Sequence, residues 1–247
     1  MSLPTLILSP RFTEDSQRLW EAAIQLGWRV ERLYGWRVPE HLTRIAEPVL
    51  YLEALLAPSI APAFGLALHE PPEGWLPQLP ECYRHRAVQL STLGAARALL
   101  PAFVKPPNDK SFPARVYGPG ELPEEFPDDT PVLVQEPVTW VREFRCFVHD
   151  RTLRTWSVYL RDGALQREAG FPSTAEEGVE VEEFVTRILA DPEVSLPPAC
   201  ALDVGEIWGR GWAVVEVNSA WGAGIYGCDP VAVLHVLRQA AEPRGRG

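Results

Sequence analysis

Residues 201–222 read "ALDVGEIWGRGWAVVEVNSAWG", and how this stretch folds back on itself decides what kind of domain contains it. Two largely apolar runs flank Gly209-Arg210, a dipeptide suited to a two-residue turn of the Gly-X type. With Trp208 facing Gly211 across that turn, counting outward sets Asp203 opposite Glu216. Asn218 shares the face of Glu216, because side chains alternate along a strand. Two like charges directly opposed on a sheet are destabilising unless something cationic sits between them. An Asp, a Glu and an amide oxygen are hard ligands, the kind Mg2+ takes before completing its shell with water and phosphate oxygens. The expectation is a β-hairpin holding a metal at Asp203, Glu216 and Asn218. Gly211 also permits other turns, and two acids on a solvated face are the alternative.

A second stretch, "FVKPPNDKSF" at 103–112, holds both lysines of the chain; the other basic residues are twenty-one arginines. Lys105 ends an apolar strand, and Lys110 lies just past "PPND", four strong turn formers. Both ammonium groups are thereby expected at the mouth of one hairpin. A lysine is a compact point charge on a flexible stem, suited to a single phosphate oxygen, whereas arginine is a planar fork. The alternative is a pair of solvated turn residues. Between the two stretches, Gln135-Glu136-Pro137-Val138 reads as a strand end whose freed backbone groups suit an adenine edge. Glu143 and Arg145 in "REFRCFV" are two apart and share a face; an ordinary surface ion pair is the plainer reading of them.

Outward from these stretches the chain alternates strand and helix over residues 1–82: "TLILS", a helix capped by Thr13 with Leu19, Trp20, Ala23 and Ile24 on its apolar side and Gly27 as its stop, then "WRVERLY", "PVLYLE" and "FGLAL". That pattern implies a small α/β unit on a parallel sheet. Proline-rich "EPPEGWLPQLP" forms a boundary, and "YRHRAVQLSTLGAARALLP" reads as a helix ending at Pro101. From there to "ALQREA" short strands alternate with turns, as in an antiparallel sheet. "EEGVEVEEFVTRILAD" and "DPVAVLHVLRQAAE" read as helices, and 243–247 as a disordered tail. The fold class is therefore α/β plus α+β.

Composition excludes several functions. A formal charge of −10 over 247 residues argues against a non-specific nucleic-acid binder, and no apolar run is long enough to span a membrane. Cys82, Cys146, Cys200 and Cys228 are far apart, as reduced thiols of a cytoplasmic protein would be. The five histidines are scattered. Serine-hydrolase elbow, zinc-protease and P-loop signatures are all absent from the sequence.

In their order, "FVKP", "VLVQEPV", "REFRCFV", "LDV" and "VVEVN" resemble the ATP-grasp superfamily. The likeness is strongest to its divergent clade marked by one arginine and two lysines, which includes a eukaryotic translation initiation complex assembly factor. "LYLEALLAPSIAPAFGLALHEPPEGWLPQLPECYRHR" and "FVKPPNDKSFPARVY" look close to a bacterial branch of that clade whose substrate is unknown. The resemblance implies an N-terminal pre-ATP-grasp domain at 1–82 and an ATP-grasp domain at 83–242 with nucleotide between its subdomains. It implies Lys105 near the α-phosphate and adenine side, Lys110 at the outer phosphates, Glu136 and Val138 contacting adenine through their backbones, and Glu143 near the ribose or metal. Arg145 would neutralise phosphate, Arg86 would approach the nucleotide cleft, and Asp203, Glu216 and Asn218 would hold Mg2+. Lys110 and Arg145 would be the catalytic pair.

One departure is plain. Where most members carry a glycine-rich phosphate loop, this chain has "PPNDKS", whose prolines offer no N–H. The implied activity is ligation: ATP converts a carboxylate to an acylphosphate, which an amine or another nucleophile of a small-molecule, peptide or protein acceptor attacks. A nucleotide-dependent assembly factor that clamps a protein partner is the second expectation, and an α/β protein with a degenerate site the third. For the acceptor, Trp221 and Tyr226 in "SAWGAGIYG" and Arg154, Arg161 and Arg167 are candidates, against core packing and solvated strand faces respectively.

Overall fold

The computed structural model describes residues 3–245. Three short strands, β1 (Thr5–Leu8), β2 (Arg29–Arg32) and β3 (Pro48–Tyr51), form a parallel sheet in the order β2-β1-β3. Helix α1 (Glu14–Gln25) connects the first two. Thr13 caps it in a capping box with Ser16, and Gly27 follows in the left-handed region at φ 73°, where a residue without Cβ stops a helix at least cost. Leu19, Ala22 and Ala23 form the buried face, while Trp20 and Ile24 are exposed. The apolar side is thus rotated from the expected one, and the two large residues fall outside it.

The fourth expected strand, β4 (Leu66–Leu68), does not join the parallel sheet; it pairs antiparallel with β14 (Ala241–Pro243). Residues 243 and 244, expected to be disordered, are held there: Pro243 faces Leu66, and the Arg244 N–H donates to the Gly65 carbonyl, 2.8 Å. Gly245 follows, exposed, and 246 and 247 lie outside the described residues.

Residues 83–101 are not one helix. A turn of helix at Glu81–Arg84 precedes strand β5 (Val88–Thr92), and a second turn at Leu93–Ala96 follows, capped by the Thr92 hydroxyl. Apolar spacing suited a helix, but Val88 and Thr92, both β-branched, favour extended backbone, and Thr92 restarts the helix as its N-cap. Strand β5 is the edge of an antiparallel sheet ordered β5-β8-β6-β7, with β6 (Ala102–Lys105), β7 (Arg115–Tyr117) and β8 (Pro131–Gln135).

The second antiparallel sheet, β11-β10-β9-β12-β13, is the body of the molecule. It contains β9 (Trp140–His149), β10 (Thr152–Arg161), the two-residue β11 (Ala164–Leu165), β12 (Ala199–Ile207) and β13 (Gly211–Ser219). Alternation along β12 sends Cys200, Leu202 and Val204 to one face, beneath helix α2 (Ala175–Ala190). It sends Ala199 and Ala201 to the other, beneath the parallel sheet, helix α1 and the last helix α3 (Pro230–Leu237). The apolar core therefore does not divide at residues 82–83: Leu6, Ile7 and Leu50 share a core with Phe147, Ala201, Val233 and Leu237. A smaller core, with Phe112, Tyr117 and Val132, fills the sheet that carries the lysine hairpin.

Candidate active site

The site is built on one row of residues across the central sheet. Ser157, Arg145, Asp203 and Glu216 are successive cross-strand partners on β10, β9, β12 and β13. The sequence argument paired Asp203 with Glu216 through a turn that is not the one formed. Ile207, not Trp208, faces Gly211, so three residues make the turn. A β-bulge between Asp203 and Val204 then absorbs one extra residue of β13, Val215, and restores the pairing. Two one-residue differences cancel. Bulges re-aim side chains in this manner next to functional sites.

Opposed acids need a cation, and here two protein cations supply it. Arg145 grips Asp203 with both arms of its fork: Nε donates to Oδ1 at 2.7 Å and Nη2 to Oδ2 at 2.6 Å. Its third arm, Nη1, donates to the Gly224 carbonyl at 2.9 Å. The guanidinium also lies over the rings of Tyr159 and Tyr226, which stack on each other with centroids 4.7 Å apart. Lys105 reaches across from the other sheet to form an ion pair with Glu216 Oε2. The Asn218 amide bridges the two acids, Nδ2 donating to Glu216 Oε1 at 2.9 Å and to Asp203 Oδ2 at 3.3 Å.

These groups differ in solvation. The Asp203 side chain is 0 % exposed, and burial pushes its carboxyl up to about 6 against the pull of Arg145. Burial pushes Glu216 in the same direction, but the Lys105 ammonium and the Asn218 amide outweigh it and bring the carboxyl to about 2. Both are ionised at neutral pH.

Lys105, Lys110, Arg145, Asp203, Glu216 and Asn218 line a single cavity of about 820 Å³, large enough for a triphosphate and an acceptor group. The lysine loop, 106–114, forms one wall of it. This loop carries no glycine and is pinned instead. Phe112 is buried against Tyr117 and Phe126, the Tyr117 hydroxyl donates to the Pro113 carbonyl at 2.6 Å, and the Asn108 amide donates to the Pro71 carbonyl at 2.9 Å. Lys110 is exposed at the cavity wall and makes no ion pair among the described residues.

The other sequence candidates sit apart from the cavity. Arg86 is buried under the bulge, where it donates to the Val214 carbonyl at 2.7 Å, the Val215 carbonyl at 2.9 Å and Gln135 Oε1 at 3.0 Å. Burial brings its guanidinium down to about 10. Glu136 spends its backbone N–H on the Ala87 carbonyl and its side chain on Arg210 and the Ala87 N–H, which hold the carboxyl at about 2. Val138 follows on an unpaired segment between β8 and β9. Glu143, half-buried, accepts from the Tyr159 hydroxyl at 2.6 Å, and desolvation raises its carboxyl to about 7.

Of the acceptor candidates, Trp221 is packed in the core with its indole N–H on the His69 carbonyl, yet it edges the cavity with Tyr226. Arg167 pairs with Glu14 at the cavity rim, and Arg161 pairs with Glu177 away from it. Arg154 lines a separate groove of about 670 Å³ between β10 and α2. Sequence reading missed Asp15, Tyr51 and Tyr159. Asp15 lines the cavity and accepts from the Ile225 N–H at 3.0 Å, and its only signal in the sequence was a second acid in the first turn of α1.

Among the described residues, no three His, Cys, Asp or Glu cluster as a metal cage. Two carboxylates beside a cavity, with an amide whose oxygen comes to the same side when the group turns over, are the donor set of a Mg2+ that takes its remaining ligands from phosphates and water, so the residues present fit that ion.

Residues 83–236 match the sequence pattern of an ATP-grasp domain, family 2 of the clade named for one arginine and two lysines. No curated protein matches the chain significantly. Among solved structures, the chain is similar to a RimK domain ATP-grasp protein from Sphaerobacter thermophilus DSM 20745, at 16 % identity and TM-score 0.52, over 95 % of this chain and 98 % of that one. It is similar to the ATP-grasp ligase PsnB complexed with a minimal precursor, at 14 % identity and TM-score 0.56, over 96 % and 99 %. It is also similar to D-alanine–D-alanine ligase from Bacillus anthracis complexed with ATP, at 13 % identity and TM-score 0.53, over 97 % of each chain. At these identities the likeness is one of fold.

Proposed function

The chain belongs to family 2 of the arginine-and-two-lysine clade of ATP-grasp domains, a family that works with ATP and Mg2+, and from that membership we propose that it is a ligase joining a carboxylate to an amine or another nucleophile. The observation that carries this reading is the 820 Å³ cavity whose walls bring Lys105 and Lys110 opposite Asp203, Glu216 and Asn218. Cations for phosphate oxygens and hard ligands for a divalent ion face one space, and no nucleophilic side chain is needed there.

ATP with Mg2+ supplies the transferable phosphoryl group and neutralises the charge that develops on it. The chain's own residues position and compensate. Lys105, paired with Glu216 in the free protein, would offer its ammonium to a phosphate oxygen. Lys110, on the outer wall, meets the terminal phosphates where a glycine-rich loop would present N–H groups. Asp203, Glu216 and Asn218 hold the metal; Arg145, clamped on Asp203, keeps that acid ionised and oriented. The Glu136 carbonyl and the Val138 N–H, which make no backbone bond among the described residues, take the adenine edge. Arg86 acts at a distance, by fixing the bulge that aims Glu216, and Glu143 borders the ribose side.

In the reaction, an acceptor carboxylate oxygen attacks the γ-phosphorus and ADP leaves. The amine then attacks the acyl carbon, phosphate leaves with the bridging oxygen, and the amine loses a proton. A peptide or protein acceptor is the favoured class, on the strength of the shared fold with a ligase solved with its precursor. Three buried thiols without a disulfide fit a reducing cytoplasm, and no helix among the described residues is long and apolar enough to cross a membrane.

The test is calorimetric titration of an ATP analogue with Mg2+, followed by an ADP-release assay against carboxylate and amine panels. Tight nucleotide binding with acceptor-dependent ADP release supports the ligase. Binding without release on any acceptor favours a nucleotide-dependent clamp, and no binding removes both.

A further inference from the structure

Because β1, β2 and β3 run parallel, the loops that follow them leave the same edge of the sheet. That carboxyl edge is where open α/β sheets place their ligands, and here it borders the reaction cavity: Arg11, Thr13, Tyr51 and Ala54 belong both to it and to the cavity wall. The same loops carry Phe12, Tyr34, Trp36 and Leu55, exposed by 78, 96, 71 and 77 %. These are four of the five most exposed large apolar side chains among the described residues. Single exposed apolar residues are ordinary on a surface; their concentration on one edge is the informative feature.

The first and third of these loops are tied down. Arg32 donates to the Ser9 and Arg11 carbonyls at 2.9 and 2.8 Å while its guanidinium lies 4.1 Å from the centre of the Phe12 ring. Arg11 reaches Glu53 of the third loop at 3.6 Å. A surface already ordered in the free protein spends little entropy on binding. Its charge runs against the rest of the chain, whose net charge is −10. The loops 9–13, 33–39 and 52–56 contain Arg11 and Arg37 and one acid, Glu53, with Arg32 at their base. Of the acids next to these loops, Glu14 pairs with Arg167, Glu40 pairs with Arg44, and Asp15 accepts from the Ile225 N–H.

We propose that this edge is a docking platform for the acceptor polypeptide, which lays an acidic stretch with apolar side chains over Phe12, Tyr34, Trp36 and Leu55 while its reacting group enters the adjoining cavity. The proposal rests on the ligase reading for what happens in the cavity, but the platform binds in its own right. Continuity with the cavity favours the acceptor over other occupants. A second copy of the chain using the same face would set arginine against arginine across a two-fold axis. Single-stranded nucleic acid also likes aromatics with arginine, but Leu55 offers no stacking face.

The test uses the full chain and a fluorescent pool of peptides about twelve residues long, composed of Asp, Glu, Leu, Phe and Gly, with and without an ATP analogue and Mg2+. Anisotropy should show binding to the wild type and about a tenfold loss on combining Tyr34→Ser with Trp36→Ser, with nucleotide affinity unchanged. Equal binding by wild type and variant overturns the platform. So does a preference for a pool with Lys in place of the acids, or for oligothymidylate, or a dimer in sedimentation that the variant abolishes. A chain that binds the pool but no ATP analogue keeps the platform and overturns the ligase. A chain that binds the analogue but not the pool overturns the platform alone.

Discussion

Two ion pairs stand side by side on the same sheet row and are built to opposite ends. Arg145–Asp203 is sealed: the acid is 0 % exposed, the guanidinium is bonded on all three nitrogens, and two tyrosine rings lie against it. Lys105–Glu216 is open to the cavity, with side chains 13 and 27 % exposed, and one single-headed contact joins two different sheets. A forked, delocalised cation suits a pair that never separates; a point charge on a flexible stem suits one that must. Arginine ties the scaffold together at Arg142–Glu177, Arg161–Glu177 and Arg145–Asp203, while both lysines stand at the cavity wall. The contrast separates scaffold from exchangeable machinery within one row of residues.

The largest expected effect comes from breaking the sealed pair. Asp203→Asn leaves a buried guanidinium opposite a neutral group and should cost about 3–5 kcal/mol in urea unfolding; a loss under about 1 kcal/mol would mean the pair is not sealed. Lys105→Met should cost less stability than Asp203→Asn, about 1–3 kcal/mol for a charged hydrogen bond left without its partner, and weaken nucleotide binding about tenfold or more. Lys105→Arg sharpens the comparison: a fork at this position should keep the fold and lose affinity, and wild-type titrations from that variant would end the distinction between the two cations.

The open pair should also answer pH. Glu216, held at about 2, stabilises the fold above its unfolded value of 4.5, and that contribution is lost as pH falls through 2. Unfolding free energy of Glu216→Gln, measured from about pH 5 down to about pH 2, should therefore fall less steeply than that of the wild type; parallel curves would contradict the assignment. Smallest in stability is Lys110→Ala, within about 0.5 kcal/mol as for most exposed positions, though nucleotide affinity should drop several-fold.

How much of this was legible beforehand follows from range. The Asp203–Glu216 pairing was readable because the two acids lie close together in the chain, although the turn was misjudged and the bulge at Val215 repaired the count. The antiparallel sheets and helix α2 were readable from period and capping. The clamp of Arg145 on Asp203 was not, since it depends on β9 lying beside β12, with 58 positions between the two residues. Residues 83–101 misled because a helical apolar spacing coincided with an edge strand that Thr92 then terminates. Arg86 read as a nucleotide contact, but its partners, the carbonyls of the bulge, exist only once β13 is bent. Asp15 hid inside an ordinary helix start.

The final helix and strand have a consequence in time. Val233, Leu234 and Leu237 fill the same core as Leu6 and Ile7, and Ala241–Pro243 completes a ladder begun at Leu66. During synthesis the β1–β3 sheet therefore leaves the ribosome with one side of its apolar interior bare, and it stays bare until residues 230–243 emerge. Nascent chains of this protein must wait, shielded or partly collapsed, for that closing segment.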